Sequence, residues 1–246
     1  MTGREIAPQE PRALAQYEHD DLDAFGQARP DELILPVRKL VQAVSREADS
    51  KHAGEFWDSL TDTYKYGLRV AILALSRSRS LFTAGDFGSA PVCVSEDAVK
   101  PRQVMVTPDG KETGPTCGEC IFAQWGSARD FKGKGQECRF SYNLLCFDIE
   151  DSQVFILRVS GTSINPWRRY MTAGKMSKAP AYAVETIVSS EEEMFDAGKA
   201  YVMHFTHGES LPAGLTAAMR GLAASYRGIS LGAEEAVVAP TEEYFE

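Results

Sequence analysis

Apolar and polar residues alternate from Phe140 to Ile149 and again from Gln153 to Val159, on either side of Glu150-Asp151-Ser152. A period of two places one set of side chains on one face of a strand. The polar triplet between the runs reads as a turn, so this stretch predicts a β-hairpin. Upstream, Gly67 to Leu75 and Arg77 to Phe82 predict one long strand or a bent pair. Downstream, Tyr182 to Val188 and Lys199 to Thr206 predict two more strands. Ser189 to Asp196, with four acids, reads as the exposed turn or short helix that joins them.

Three stretches repeat instead at intervals of three and four. Leu33, Val37, Leu40, Val41 and Val44 predict a helix over Leu33 to Val44, with Pro36 tolerated near its start. Ser163 to Ala173 predicts a second helix, capped by Ser163, with Pro166 in its first turn and Trp167, Tyr170 and Met171 on one face. Ala213 to Tyr226 predicts a third, with Leu215, Met219 and Leu222 on one side.

The segment Gly85 to Gln136 breaks both periods. It holds twelve glycines and prolines and reads as loops and short hairpins. The order is then strands, a loop-rich insertion, a hairpin, a helix, a hairpin, a helix and a tail. Five or six strands with a helix between two hairpins suit a small barrel, of which the OB-fold is the common nucleic-acid-binding example. The expected fold class is α+β and β-rich: an OB-like barrel with a metal-stabilised insertion and flexible acidic termini. Residues 1–30 read as a flexible arm. Residues 31–230 read as the barrel domain, with its insertion at about 88–140, and 231–246 as an acidic tail.

Cysteine spacing gives the insertion its chemistry. Cys117-Gly118-Glu119-Cys120 is a C-x2-C pair, separated from Cys93 by 23 residues and from Cys138 by 17. Such a pair presents two thiolates to one tetrahedral ion, and two distant cysteines can complete the shell. Four sulfur ligands suit zinc in a structural role. The metal would hold together a segment with little else to order it. A histidine such as His204 or His207 is the alternative to Cys93 as fourth ligand. The fifth cysteine, Cys146, lies in an alternating run and reads as core. A redox C-x-x-C would need a βαβ setting, which is missing around this pair.

Charge qualifies the choice of partner. The net charge of −9 argues against a polyanion, but its distribution does not. Phe155 to Val184 carries five cations and no acid, and Lys100 to Tyr142 carries seven cations against five acids. Gly232 to Glu246 carries five glutamates and no cation. In the basic centre, Trp125, Phe131 and Trp167 are interleaved with Arg129, Lys132, Lys134, Arg139, Arg168 and Arg169. Rings on which bases stack, beside cations that follow a phosphate backbone, are what single-stranded nucleic acid requires. At the C-terminus, Tyr244 and Phe245 among acids could dock a partner protein.

Catalytic patterns are missing. The chain has four histidines, none with a nucleophile or carboxylate partner evident in sequence. It contains neither H-E-x-x-H nor G-x-S-x-G, and Gly133-Lys134-Gly135 is not a complete P-loop. The zinc-deaminase pattern also fails, because Thr116 precedes Cys117. No apolar run approaches the ~20 residues of a membrane span. The N-terminal stretch lacks the apolar core of a secretion signal, so a cytoplasmic location is expected.

The run Cys117-Gly-Glu-Cys120, Gln124-Trp125-Gly126-Ser127, Gly133-Lys134-Gly135 and Cys138-Arg139 resembles an insertion in bacteriophage-encoded proteins. These proteins look like single-stranded DNA-binding proteins of phage replication or recombination. Ser160-Gly-Thr162-Ser163, ahead of a helix bearing Trp167, is similar as well. The resemblance covers about residues 90–175, and weakly the acidic tail. It implies non-sequence-specific binding of single-stranded DNA and no catalysis. It also implies possible contact with replication or recombination proteins through the tail, in the cytoplasm of the host cell. The alternative is a zinc-containing protein-interaction module of a phage replication, transcription or virion assembly. A zinc-dependent nuclease is a third class and would need an open metal position.

Overall fold

The longest strand, β4 (Leu68–Leu81), organises the molecule, as its apolar first half and its Ser-Arg-Ser-Arg-Ser second half foreshadow. The computed structural model describes residues 32–43, 52–82, 91–102, 110, 113–128, 135–196 and 198–231. The elements before β4 are β1 (Val37–Leu40), β2 (Phe56–Asp58) and β3 (Tyr64–Lys65). After it come β5 (Cys93–Ser95), β6 (Arg139–Asp148), β7 (Gln153–Ser160), α1 (Ile164–Ser177), β8 (Val184–Phe195), β9 (Gly198–Ser210) and α2 (Ala213–Ser225). All the strands join one sheet in the order β3-β2-β1-β7-β6-β4-β8-β9, with β5 paired to β4. Among the described residues the protein is β-rich α+β, one sheet curled into a half-barrel and two helices.

β4, β6 and β7 form an antiparallel meander. A bulge between Ile72 and Ala74 bends β4 there. After α1, β8 returns to pair with the start of β4, and β9 pairs with β8. The inner face of the curl is filled by Val70, Ile72, Leu144, Cys146, Phe155, Leu157, Val159 and Val188. α1 adds Trp167 and Tyr170 to this core. On the opposite face, α2 lays Met219 and Leu222 over Leu73, Leu145, Phe147 and Ile156. Cys146 is fully buried, as its place in an alternating run predicts.

The edges of the curl approach each other near Tyr201. The Gln42 amide donates to Tyr201 O and accepts from Tyr201 N, both at 2.9 Å, so one side chain acts in place of a neighbouring strand. Gly54, at φ +90°, leaves room for the Tyr201 ring: a Cβ there would lie 2.6 Å from it.

Three local expectations are corrected. The described part of Leu33 to Val44, residues 33–43, is not a helix but contains β1, parallel to β7 and antiparallel to β2, and Val44 lies outside the described residues. Its alternation is hidden because the buried partner of Leu40 is a charged residue, Arg38. Ser189 to Asp196 is not a turn, because β8 runs through Phe195. Its acids face solvent on a two-stranded ribbon, where Glu192 accepts from Lys199 at 2.8 Å and Glu193 lies 3.1 Å from His204. A ribbon wet on both faces needs no apolar alternation. Ser163 does not cap α1; its hydroxyl instead accepts from Met203 N at 2.9 Å, tying the helix start to β9.

Candidate metal centre and nucleic-acid interface

The inner face of β4 does not stop at the barrel core. Beyond the bulge it carries Leu75, Arg77, Arg79 and Leu81 in turn, at a period of two. Leu81 belongs to a separate apolar cluster with Cys93, Cys120, Phe122, Ala123 and Cys138. Two arginines thus lie between the barrel core and a cysteine lobe.

All four candidate ligands are buried, between 5% and 8% exposed. Cys93 sits on β5, directly opposite Leu81. Cys117 and Cys120 lie on a turn in which Cys120 N and Glu119 N donate to Thr116 O. Cys138 precedes β6, and its N–H donates to Phe122 O at 2.8 Å. One small cavity is lined by the four cysteines together with Leu81, Pro101, Thr113, Gly114 and Ala123. No histidine or carboxylate is in that lining. A Cβ at Gly114 would lie 2.9 Å from Cys120 N, so the turn packs against bare backbone.

Burial, then the neighbouring Cys117 and Cys120, pushes the Cys93 thiol up to about 11. Burial pushes Cys138 up to about 12, against a lowering by Arg79. Without a cation these sulfurs therefore remain protonated, and metal binding has to displace the protons. Among the described residues no group of three or more His, Cys, Asp or Glu side chains is placed, as it stands, to hold an ion. The donor set and the common cavity nevertheless fit a thiolate-bound metal: four soft donors and no carboxylate in the lining.

The expected stacking and phosphate residues separate into groups. Trp125 is 80% exposed on the cysteine lobe, as a stacking ring must be. Trp167 is not available for that role. It is 3% exposed, packed with Tyr142, Tyr170 and Phe205, and a base could reach it only by opening the core. Its helical spacing with Tyr170 marks the core-facing side of α1. Arg168 and Arg169 occupy the exposed side, and Arg139 is exposed at the start of β6. Arg129, Phe131, Lys132, Lys134, Tyr244 and Phe245 lie outside the described residues.

Arg77 and Arg79 carry a signal that the sequence reading passed over. In Ser-Arg-Ser-Arg-Ser, a period of two sends both arginines to one face and the serines to the other. Arg77 lies opposite Tyr142, and Arg79 opposite Phe140. The Arg79 guanidinium is 5.3 Å from the Phe140 ring centre and donates to Cys138 O at 3.2 Å. Arg168 Nε donates to the Tyr142 hydroxyl at 3.3 Å.

No helix among the described residues is long and apolar enough to cross a membrane. Compared with protein families, curated proteins and solved structures, the chain matches none.

Proposed function

We propose that this protein binds single-stranded DNA without sequence specificity, on an OB-like barrel whose loop insertion is held by a structural zinc ion. The observation that carries the reading is the continuity of β4. One strand face leads from the barrel core, past Arg77 and Arg79, into the four-cysteine cavity. The meander β4-β6-β7, the helix after it and the return of β8 to the first strand support the OB-like assignment. In that comparison the cysteine lobe fills the loop between the first two barrel strands, one of the loops with which OB-folds hold oligonucleotides.

Cys93, Cys117, Cys120 and Cys138 would hold the metal, which orders the loop and supplies no chemistry. Trp125 would stack on bases, and Arg139, Arg168 and Arg169 would meet phosphates, with Arg129, Phe131, Lys132 and Lys134 extending the surface. The protein acts by binding rather than catalysis, within phage replication or recombination in the host cytoplasm. Its tail, through Tyr244 and Phe245, would recruit partner proteins. The second reading, a protein-interaction module, draws on Ile121 and Trp125, 48% and 80% exposed on the same lobe.

The test is fluorescence anisotropy of a labelled oligo-dT with the full chain at low and moderate salt, before and after chelation, beside elemental analysis. The expected result is stoichiometric zinc, and affinity that falls with salt and with metal removal. Zinc without DNA binding would sink the single-strand reading and favour the interaction module.

A further inference from the structure

Charged side chains are distributed unevenly over the half-barrel. Arg38, Lys65, Arg69, Arg102 and Lys199 each meet a carboxylate. Arg77, Arg79, Arg168 and Arg169 meet none among the described residues. Three of the four converge. Arg77 and Arg79 share a face with Tyr142 and Phe140, and Arg168 reaches the Tyr142 hydroxyl from α1. The Phe140 and Tyr142 rings touch edge to face at 5.0 Å; the Arg79 guanidinium lies over the first, and Arg168 bonds the hydroxyl of the second. Residues two apart on a strand face lie about 6.7 Å from each other. That is comparable to the separation of successive phosphates in an extended single strand.

We infer that Arg77, Arg79 and Arg168 form a phosphate-binding strip for one nucleic-acid strand, running from α1 across the end of β4 to the cysteine lobe. The inference rests on the single-strand reading above and assigns its backbone contacts to a surface outside the loop insertion. The three cations of the strip are arginines, whose planar fork of N–H groups grips phosphate oxygens in pairs, which a lysine ammonium does not. Arg79 is held in place by the Phe140 ring and the Cys138 carbonyl, so the lobe positions a member of the strip. Arg77 and Arg168 are exposed and supply the freer contacts.

The experiment measures oligo-dT affinity against salt for the wild type, Arg77→Gln, Arg168→Gln, the double variant and Lys199→Gln. The last removes the same charge from an ion pair on the β8–β9 ribbon. Thermal melts confirm that each variant is folded. The expected result is that each arginine lost lowers the slope of log affinity on log salt by about 0.7, while Lys199→Gln leaves it unchanged and Arg77→Lys restores it. Wild-type binding with unaltered slopes in both arginine variants overturns the strip and leaves the single-strand reading standing. No wild-type binding at any salt overturns both. Equal affinity for polyglutamate of matched charge overturns the nucleic-acid assignment in favour of an acidic peptide.

Discussion

The two ends of the curled sheet handle charge in opposite ways. At one end, where β6 turns into β7, Arg38 is 3% exposed and Asp148 is fully buried. Arg38 Nε donates to Asp58 at 2.8 Å, and Nη1 donates to Asp148, which also accepts from Lys65 at 2.9 Å. At the other end, about seven residues along β4, Arg77 stands exposed with no carboxylate beside it among the described residues. The two regions share β6, which ends in Asp148 at the paired end and carries Phe140 and Tyr142 at the other. Burial accounts for the difference, because a charge removed from water must be paired, whereas one left in water may wait for a ligand. The paired end belongs to folding and the unpaired end is available for binding.

The sharpest way to break this contrast is to remove Arg38. Arg38→Met leaves Asp58 buried without its cation and Asp148 with Lys65 alone, and should cost about 3–5 kcal/mol in urea unfolding. A cost below about 1 kcal/mol would show that the network does not hold the sheet together. The same end should govern acid stability. Burial raises Asp148, but Lys65 and Arg38 outweigh it and hold the carboxyl below the ordinary range. Asp58 is raised by burial and lowered further by Arg38 and by the N–H groups of Leu60 and Thr61. A folded value below the unfolded one gives stability that is complete above about 3.9 and lost as pH falls through the folded value. Urea midpoints followed into acid should therefore fall for the wild type, and more gently for Arg38→Met.

The two tryptophans extend the comparison. Trp167→Ala empties a core site and should cost about 3–5 kcal/mol of stability. Trp125→Ala should leave the melting temperature almost unchanged and weaken oligo-dT binding by about 1–3 kcal/mol. A DNA-binding defect in a folded Trp167→Phe variant, with normal binding by Trp125→Ala, would reverse the assignment. Gly114→Ala comes next. Its Cβ would press on the Cys120 amide, costing about 1–3 kcal/mol within the lobe and lowering zinc occupancy by elemental analysis, with the barrel intact.

What the sequence reveals follows the same division. α1 and α2 are legible because each has one wet and one dry face, whereas the β6–β7 hairpin, covered on both faces, is legible through its two apolar-rich runs and the polar turn between them. β1 is not legible, because its buried Arg38 reads as polar, and only the distant Asp58 and Asp148 explain its burial. Trp167 and Trp125 are equally aromatic and equally close to arginines in sequence. Helical spacing with Tyr170 was the signal that separated them. The four cysteines announce a common site through spacing alone, and the Arg77–Arg79 face is within reach of the strand expected over Arg77 to Phe82, whose period of two puts both arginines on one face.

The smallest expected effect tests the contrast most directly. Arg77→Gln should change unfolding stability by no more than about 0.5 kcal/mol, because an exposed side chain away from caps and buried partners contributes little. Its sign is informative as well. Arg77 shares the Phe140–Tyr142 face with Arg79 and Arg168 and meets no acid among the described residues, so at low ionic strength its removal should relieve repulsion and raise the melting temperature slightly. Added salt, with a Debye length of about 8 Å near physiological strength, should erase that gain. A clear loss of stability at every salt concentration would mean that Arg77 has a structural partner after all, and the unpaired end would then be a continuation of the paired one. A small, salt-suppressed gain is what a surface kept charged for a ligand predicts, because its repulsion is relieved only when phosphates arrive.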